Sequence, residues 1–340
     1  MLSPAFAENN IPVVFATDKN FALYLSVAIR SLIDNSSAGN NYDIIILDTG
    51  MDAQAKELLL SLSVKSNISV RILEVIDTLN KHLNLFKIPS GTWFTPTTYM
   101  RIFIPELFRQ YEKVIYLDCD LIILADIAEL YNTGIGHCSI GAVPDYYCEY
   151  ILRAGDKLFA DYKKNVLKMD CQYINAGVLI FNICKWIEKD LINRCLEFMK
   201  GGAQTLYADN CVINSVCNGS VHYLELNWNV TWYNLFVPEL SQEDKENLKM
   251  CIVDPKVVHY VSGLKPWNCP GKEKSDIWWS YAKKLPHYQA ILEASLNSVQ
   301  AYTEKRAERH LSIIAEKNKR IAELEQEIAL CKSKKGDDMW

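Results

Sequence analysis

The run VIYLDCDLIIL, residues 114–124, narrows the folds open to this chain more than any other stretch. All but two of its residues are apolar, as in a strand covered on both faces, where an unpartnered carboxylate is costly. Asp118 and Asp120 therefore do not sit at the centre of a sheet. Val114 to Leu117 form the buried strand, and the two acids begin where it emerges. The surrounding pattern agrees. Strand PVVFATD (12–18), a helix over about 21–34 with Leu25, Ile29, Leu32 and Ile33 at helical spacing, and strand YDIIILDTG (42–50) come first. Helix DAQAKELLLSLS (52–63) and strand ISVRILEV (68–75) follow. This β-α-β-α-β alternation predicts an α/β fold with a largely parallel, helix-covered sheet that binds ligands at its carboxyl edge. A helix over TTYMRIFIPELF (97–108) leads into the quoted strand. Strands GAVPD (141–145) and INAGVLIFNI (174–183) complete that sheet or an adjoining one, and helices are expected over about 185–200 and 209–217. Asp18 and Asp145 end their strands as Asp118 does, so carboxylates from separate strands converge on one rim.

Two carboxylates two residues apart can share one hard divalent cation and leave its other positions to phosphate oxygens. The pair alone is a weak signal, because aspartates at strand ends commonly form turns and caps. VVHYVSGLKPW (257–267) strengthens it. His259 beside two aspartates makes an N/O donor set that suits Mn²⁺ better than Mg²⁺, and Lys265 can neutralise a diphosphate. Each residue also has a plain structural use: His259 as a core histidine, Lys265 as a surface charge.

Hydrophobic residues make up 49% of the 340, and charged ones 23%, enough for a sizeable core and against wholesale disorder. A net charge of −5 argues against a nucleic-acid partner, whose affinity needs a basic footprint. The eleven cysteines form no C-x-x-C pair and lie mostly in apolar strings, as free thiols do in a reducing cytoplasm. No stretch reaches the ~18 apolar residues that span a bilayer. Residues 1–10 read as a short disordered lead. From 304 to 332, Ile314, Ile321 and Ile328 recur every seventh residue with Leu324 and Cys331 at the d positions, while Lys317 and His310 interrupt that series. A solvated amphipathic helix and a dimerising coiled coil both fit; a membrane-surface helix fits less well, because acids and bases mix on its polar face. Residues 333–340 form a tail.

VFATDKNF, TTYMRI, VIYLDCDLII, INAGVLIFNICKW, ADNCVIN and HYVSGLKPW, in this order, carry a resemblance to the retaining nucleotide-sugar glycosyltransferases of family eight. That family includes glycogenin and bacterial lipooligosaccharide and lipopolysaccharide α-galactosyl- and α-glucosyltransferases. The resemblance covers roughly residues 11–270. It implies a GT-A fold, a Rossmann-like mixed sheet flanked by helices, over 11–275, followed by a helical region at 276–303 and the amphipathic helix. It also implies a UDP-sugar donor bound with Mn²⁺, Mg²⁺ being the alternative ion.

By that resemblance Asp118, Asp120 and His259 are the metal ligands, and Ala16, Asp18 and Asn20 surround the uridine and its ribose. Cys119 contacts the nucleotide through its backbone. Arg101 and Asn175 lie by the donor sugar, Asp209 holds sugar hydroxyls, Asn210 stands beside the anomeric carbon, and Asp145 faces the acceptor. Lys265 meets the diphosphate, with Gly263 in the same loop. Plain readings stay open beside these: a helix cap for Asp18, a turn for Asn20 and Asp145, a structural ion pair for Arg101, a strand bend for Asn175, caps for Asp209 and Asn210. Two positions depart from the family pattern: Asn210 replaces a glutamine, and Ser262 occupies the place of a glycine, with Gly263 displaced by one.

The implied activity is transfer of galactose or glucose to a glycan or glycolipid hydroxyl with retention, in lipopolysaccharide outer-core synthesis. It would run in the cytoplasm, with peripheral contact at the inner membrane and self-association through the last helix. Same-face attack and a covalent route through Asp209 are both open. So are two other functions: extension of a sugar on an adhesin, and an inactive nucleotide-sugar-binding module.

Overall fold

Strands β1 (Asn10–Thr17), β2 (Asn41–Asp48), β3 (Ile68–Glu74) and β4 (Lys113–Leu117) run parallel in one sheet, in a computed structural model that describes residues 2–86, 95–154, 161–201 and 205–337. The chain then forms β5 (Leu121–Ile123), β6 (Ile140–Pro144), β7 (Ile174–Asn182), β8 (Val221–Tyr223) and β9 (Val257–His259). The seven-stranded sheet has the order β3-β2-β1-β4-β7-β6-β8, with β7 antiparallel to both β4 and β6. It is the mixed sheet of a GT-A fold.

Side chains alternate between two buried layers. Val13, Phe15, Ile44, Ile46, Ile115, Leu117, Val178 and Ile180 pack on one side with helices Ala22–Asp34 and Ser275–Ala282. Val14, Ile45, Leu47, Val114, Tyr116, Leu179 and Phe181 pack on the other with the helices of 183–200 and Ala208–Val216. Both faces are covered, which is why these strands read as unbroken apolar runs rather than as alternating ones.

The structure departs from the expected elements in informative places. The quoted run is two strands. β4 stops at Leu117, and β5 leaves the main sheet to pair antiparallel with β9, Leu121 opposite His259. Asp118 and Asp120 occupy the link. The expected helix 97–108 is a 3₁₀ helix, Pro96–Phe103, followed by one turn of α-helix, Ile104–Leu107. Pro105 has no N–H to give the carbonyl of Arg101, so Ile104 takes it with a tighter bond. The helix over 185–200 breaks into Ile183–Glu188 and Leu191–Lys200 at Asp190, which has φ of 52°.

Residues expected to form a disordered lead are held along the sheet's outer strands. Ala5 N donates to Asp43 Oδ2 at 3.0 Å, and Arg71 reaches the Ser3 carbonyl at 2.9 Å. The last helix, Tyr288–Asp337, begins against the body with Ile291 and Ser295 buried; every residue from 303 to 321 is exposed. The side chains of Ile328 and Cys331, and residues 338–340 of the tail, lie outside the described residues. No described helix is long and apolar enough to cross a membrane.

Candidate active site

The link between β4 and β5 is held by its backbone at both ends. Asp118 N donates to the Gly177 carbonyl of β7 at 2.9 Å, and Tyr260 N to the Asp120 carbonyl at 2.9 Å. The second bond extends the β5–β9 ladder, so the register that places Leu121 opposite His259 also brings the imidazole to the two aspartates. One donor atom from each of Asp118, Asp120 and His259 lies within 4.8 Å of the others. His259 Nε2 is 3.2 Å from Asp120 Oδ1 and 3.7 Å from Asp118 Oδ2. Space for them comes from Gly177. A Cβ there would stand 2.8 Å from both Asp118 Oδ2 and His259 Nδ1. Two carboxylates and an imidazole converging where only a glycine fits suit a divalent cation.

Each acid of the pair already faces a fixed positive charge. Lys265 is bonded to Asp120 and donates to the Tyr260 carbonyl at 2.7 Å. Burial works against the charge on Asp120, but Lys265 and then His259 more than offset it, holding this carboxyl well below its usual range. Arg101, from the 3₁₀ helix, is buried and reaches two carboxylates and a backbone carbonyl beyond its own helix. Its Nη2 lies 2.9 Å from Asp118 Oδ1, its Nε 2.8 Å from Asp209 Oδ2, and its Nη1 donates to the Ala176 carbonyl at 2.5 Å. Its guanidinium stacks 4.6 Å over the Tyr116 ring, whose hydroxyl donates to Asp118 Oδ1 at 2.7 Å. Asp209 is nearly inaccessible. Burial pushes its carboxyl up to about 7; Arg101 opposes that rise and Asp118 adds to it.

These groups line one cavity of about 480 Å³. Of the residues singled out in the sequence, Ala16, Asp18, Arg101, Asp118, Cys119, Asp120, Asp145, Asn175, Asp209, Asn210, His259 and Lys265 line it. Asn20 and Gly263 are not among its lining residues. Asn20 is exposed and gives its N–H to Asp18 Oδ1 at 2.8 Å, and Gly263 gives its carbonyl to Asn268 at 2.9 Å. Several plain readings hold alongside the site. Asp18 accepts from the backbone leading into helix Ala22–Asp34. Asp145 uses both oxygens inside the protein, for Cys148 N at 2.9 Å and Asn175 Nδ2 at 3.1 Å. Cys119 donates through its thiol to the Ala16 carbonyl at 3.1 Å, tying the exit of β4 to the end of β1.

The two departures from the family pattern have structural answers. Ser262 takes φ of 79°, so the serine adopts the left-handed backbone that a glycine favours. Asn210 Oδ1 accepts from Ala176 N at 3.1 Å, which leaves its NH₂, a donor, as the end free to meet a ligand. Sequence reasoning missed Tyr116 and above all Asn229, a buried residue whose Oδ1 lies 2.9 Å from His259 Nδ1. Asn229 sits in the aromatic-rich run NWNVTWYNLF (227–236), where nothing in the residues singles out one asparagine.

A mixed sheet with this acidic, cation-ready cavity at its carboxyl edge defines a GT-A transferase. The family model described as Glycosyl transferase family 8 matches residues 12–270, and the chain belongs to that family. It is accordingly a glycosyltransferase, with a nucleotide-sugar donor and a glycan acceptor. It is 26% identical over 259 residues to a putative glycosyltransferase of Haemophilus influenzae, covering 75% of this chain and 72% of that protein. It is 24% identical over 289 residues to general stress protein A of Bacillus subtilis, covering 80% and 93%. Among solved structures, the galactosyltransferase LgtC in complex with donor and acceptor sugar analogues superposes with a TM-score of 0.68 at 22% identity, over 83% of this chain and all of that one. The bifunctional glycosyltransferase WbbM gives 0.76 at 26% identity; this chain spans 86% of itself but about half, 53%, of WbbM.

Proposed function

We propose that this protein transfers galactose or glucose from UDP to a hydroxyl of a glycan or glycolipid, with retention of the α configuration and with Mn²⁺. The convergence of Asp118, Asp120 and His259 within 4.8 Å, with Lys265 beside them, is the observation that carries it. Those three residues would hold the ion, whose chemistry there is charge stabilisation on a departing diphosphate. Lys265 adds a positive charge where the leaving group's charge builds. Ala16 and Asp18 border the uridine end of the cavity, and Arg101, Asn175 and Asp209 the sugar end.

Retention follows most simply from same-face attack. The acceptor oxygen bonds to the anomeric carbon as the C–O bond to UDP breaks, and the departing phosphate oxygen takes the hydroxyl proton. Asn210 offers an NH₂ donor and no nucleophile. Asp209 Oδ2 lies against Arg101 in a site that disfavours its charge, a poor setting for attack on carbon. Asp145, the residue assigned to the acceptor, also orients Asn175 through its bond to Nδ2. The acceptor is a sugar of the lipopolysaccharide outer core, reached at the cytoplasmic face of the inner membrane; the resemblance of the motif blocks to bacterial lipooligosaccharide and lipopolysaccharide hexosyltransferases supports this reading. Exposed Ile314, Ile321 and Leu324 on the projecting helix support self-association through a coiled coil.

Release of UDP from a panel of UDP-sugars, with and without Mn²⁺, tests the reading. UDP-galactose or UDP-glucose should be consumed only with the ion, and Asp118→Ala or Asp120→Ala should lower that rate at least about 100-fold. Unchanged turnover in either variant would refute the metal assignment, and turnover of neither UDP-hexose would refute the donor.

A further inference from the structure

Three hydrogen bonds in series run from the backbone of β7 to the imidazole of His259, and their polarity is set from one end. Gly177 N–H can only donate, and it meets Asn175 Oδ1 at 2.9 Å. The same oxygen receives Asn229 Nδ2 at 3.0 Å. Asn175 must then turn its NH₂ toward Asp145, and its Nδ2 does lie 3.1 Å from Asp145 Oδ2, an acceptor. Asn229, with its NH₂ committed to Asn175, presents Oδ1 to His259 Nδ1 at 2.9 Å. An amide oxygen only accepts, so Nδ1 carries a hydrogen. In the neutral ring the lone pair is left on Nε2, the nitrogen that faces Asp120 and Asp118.

Neither amide has freedom to reverse. Flipping Asn229 would set its oxygen against the oxygen of Asn175, which the Gly177 amide and Asp145 hold in place. Flipping Asn175 would oppose the Gly177 amide and the Asp145 carboxylate at once. Both partners of the final bond are buried, Asn229 at 2% and His259 at 3% exposure, so water cannot substitute. The backbone holds them side by side: Val230 N donates to the Val257 carbonyl at 2.9 Å and His259 N to the Val230 carbonyl at 3.0 Å. The free histidine side chain in water prefers the opposite tautomer, with hydrogen on Nε2, which then has no lone pair there to give a cation.

We propose that Asn229 is a positioning residue that fixes the tautomer and ring orientation of His259, keeping Nε2 as the ligating nitrogen, with the Gly177 amide setting the polarity of the whole series. The inference rests on the reading of Asp118, Asp120 and His259 as a divalent-cation site. It gives Asn175 and Asp145 a second task on the cation side of the cavity, beyond any contact with sugar or acceptor.

The test is nitrogen-15 NMR of the imidazoles in metal-free full-length protein at alkaline pH, with His259 assigned through His259→Gln, and Mn²⁺ binding read by electron paramagnetic resonance. Wild type should show His259 as the Nδ1–H tautomer. Asn229→Leu, similar in size but without the amide, should lose that tautomer and weaken Mn²⁺ binding about 10- to 100-fold. An Nε2–H tautomer in wild type overturns the proposal whether or not the variants fold, as does wild-type Mn²⁺ affinity in folded Asn229→Leu. Wild type with the Nδ1–H tautomer and no Mn²⁺ binding would support the positioning role while refuting the metal reading beneath it.

Discussion

Replacing Gly177 with alanine adds one methyl group at the tightest point of the cavity. Its backbone is not in the left-handed region, so alanine is allowed there and any effect is steric. The new Cβ would lie 2.8 Å from Asp118 Oδ2 and His259 Nδ1, and nearer still to the imidazole Cε1, against an ordinary carbon contact of about 3.5–4.0 Å. The strand cannot retreat. Gly177 accepts from Asp118 N and donates to Asn175, and β7 lies between β4 and β6. The imidazole must therefore swing out and give up its bond to Asn229. Overpacking costs about 1–3 kcal/mol and the lost hydrogen bond about 1 kcal/mol, which together give roughly 2–4 kcal/mol. For a domain of this size that is a fall in Tm of roughly 3–7 °C, with Mn²⁺ binding weakened about 10- to 100-fold. Gly39→Ala, where an added Cβ meets nothing within 4 Å, is the control. Calorimetry and Mn²⁺ titration of the two variants decide it. Gly177→Ala that melts with wild type and binds Mn²⁺ equally would show that glycine is not what opens the site.

Two further outcomes are expected. The folded pKa of Asp209, about 7, exceeds the ordinary 3.8, so its contribution to stability is complete below the ordinary value and is lost as pH rises through 7; metal-free Asp209→Asn should lack that part of the decline in Tm between pH 4 and 7, and an unchanged slope would show the group is not so perturbed. Full-length protein should sediment as an oligomer at micromolar concentration and become monomeric with Ile314→Asp and Ile321→Asp together; a monomeric wild type would end the coiled-coil reading.

How much of this was legible in the residues depended on how far apart the partners lie in the chain. Apolar runs ending in carboxylates were enough to put Asp18, Asp118 and Asp145 on one rim, because strand direction alone decides which end of a parallel sheet they reach. His259 was found through its own motif, but what brings it to Asp120, 139 residues away, is the β5–β9 ladder, and that ladder was hidden inside a run that reads as one strand. Asn229 had no local signature. An asparagine's use depends on which donor and acceptor the fold sets on either side of it, and both of its neighbours come from other strands. The 3₁₀ geometry around Arg101 was written in Pro96 and Pro105, yet apolar spacing at 97–108 suits an α-helix well enough to mask it. At Ser262 the residue type pointed away from the backbone it adopts; the left-handed turn persists without the glycine that usually marks it.

Charge on the buried rim explains why a strand so apolar ends in two acids. Asp118, Asp120 and Asp209 face Arg101 and Lys265, three carboxylates against two fixed cations. A whole uncompensated negative charge at this depth is costly, and the fold meets it by raising the pKa of the innermost acid, Asp209, close to neutrality instead of ionising all three fully. Asp118 and Asp120 are the acids that stay open to the cavity, so the residual attraction for positive charge falls where His259 Nε2 also points. A diphosphate entering without a cation would add negative charge to a rim already short of positive charge, and Lys265, engaged by Asp120, could not answer it alone. A diphosphate entering with a divalent cation meets the opposite balance. The same count that makes the acidic pair tolerable in the folded protein would therefore make a bound cation and a nucleotide diphosphate each strengthen binding of the other.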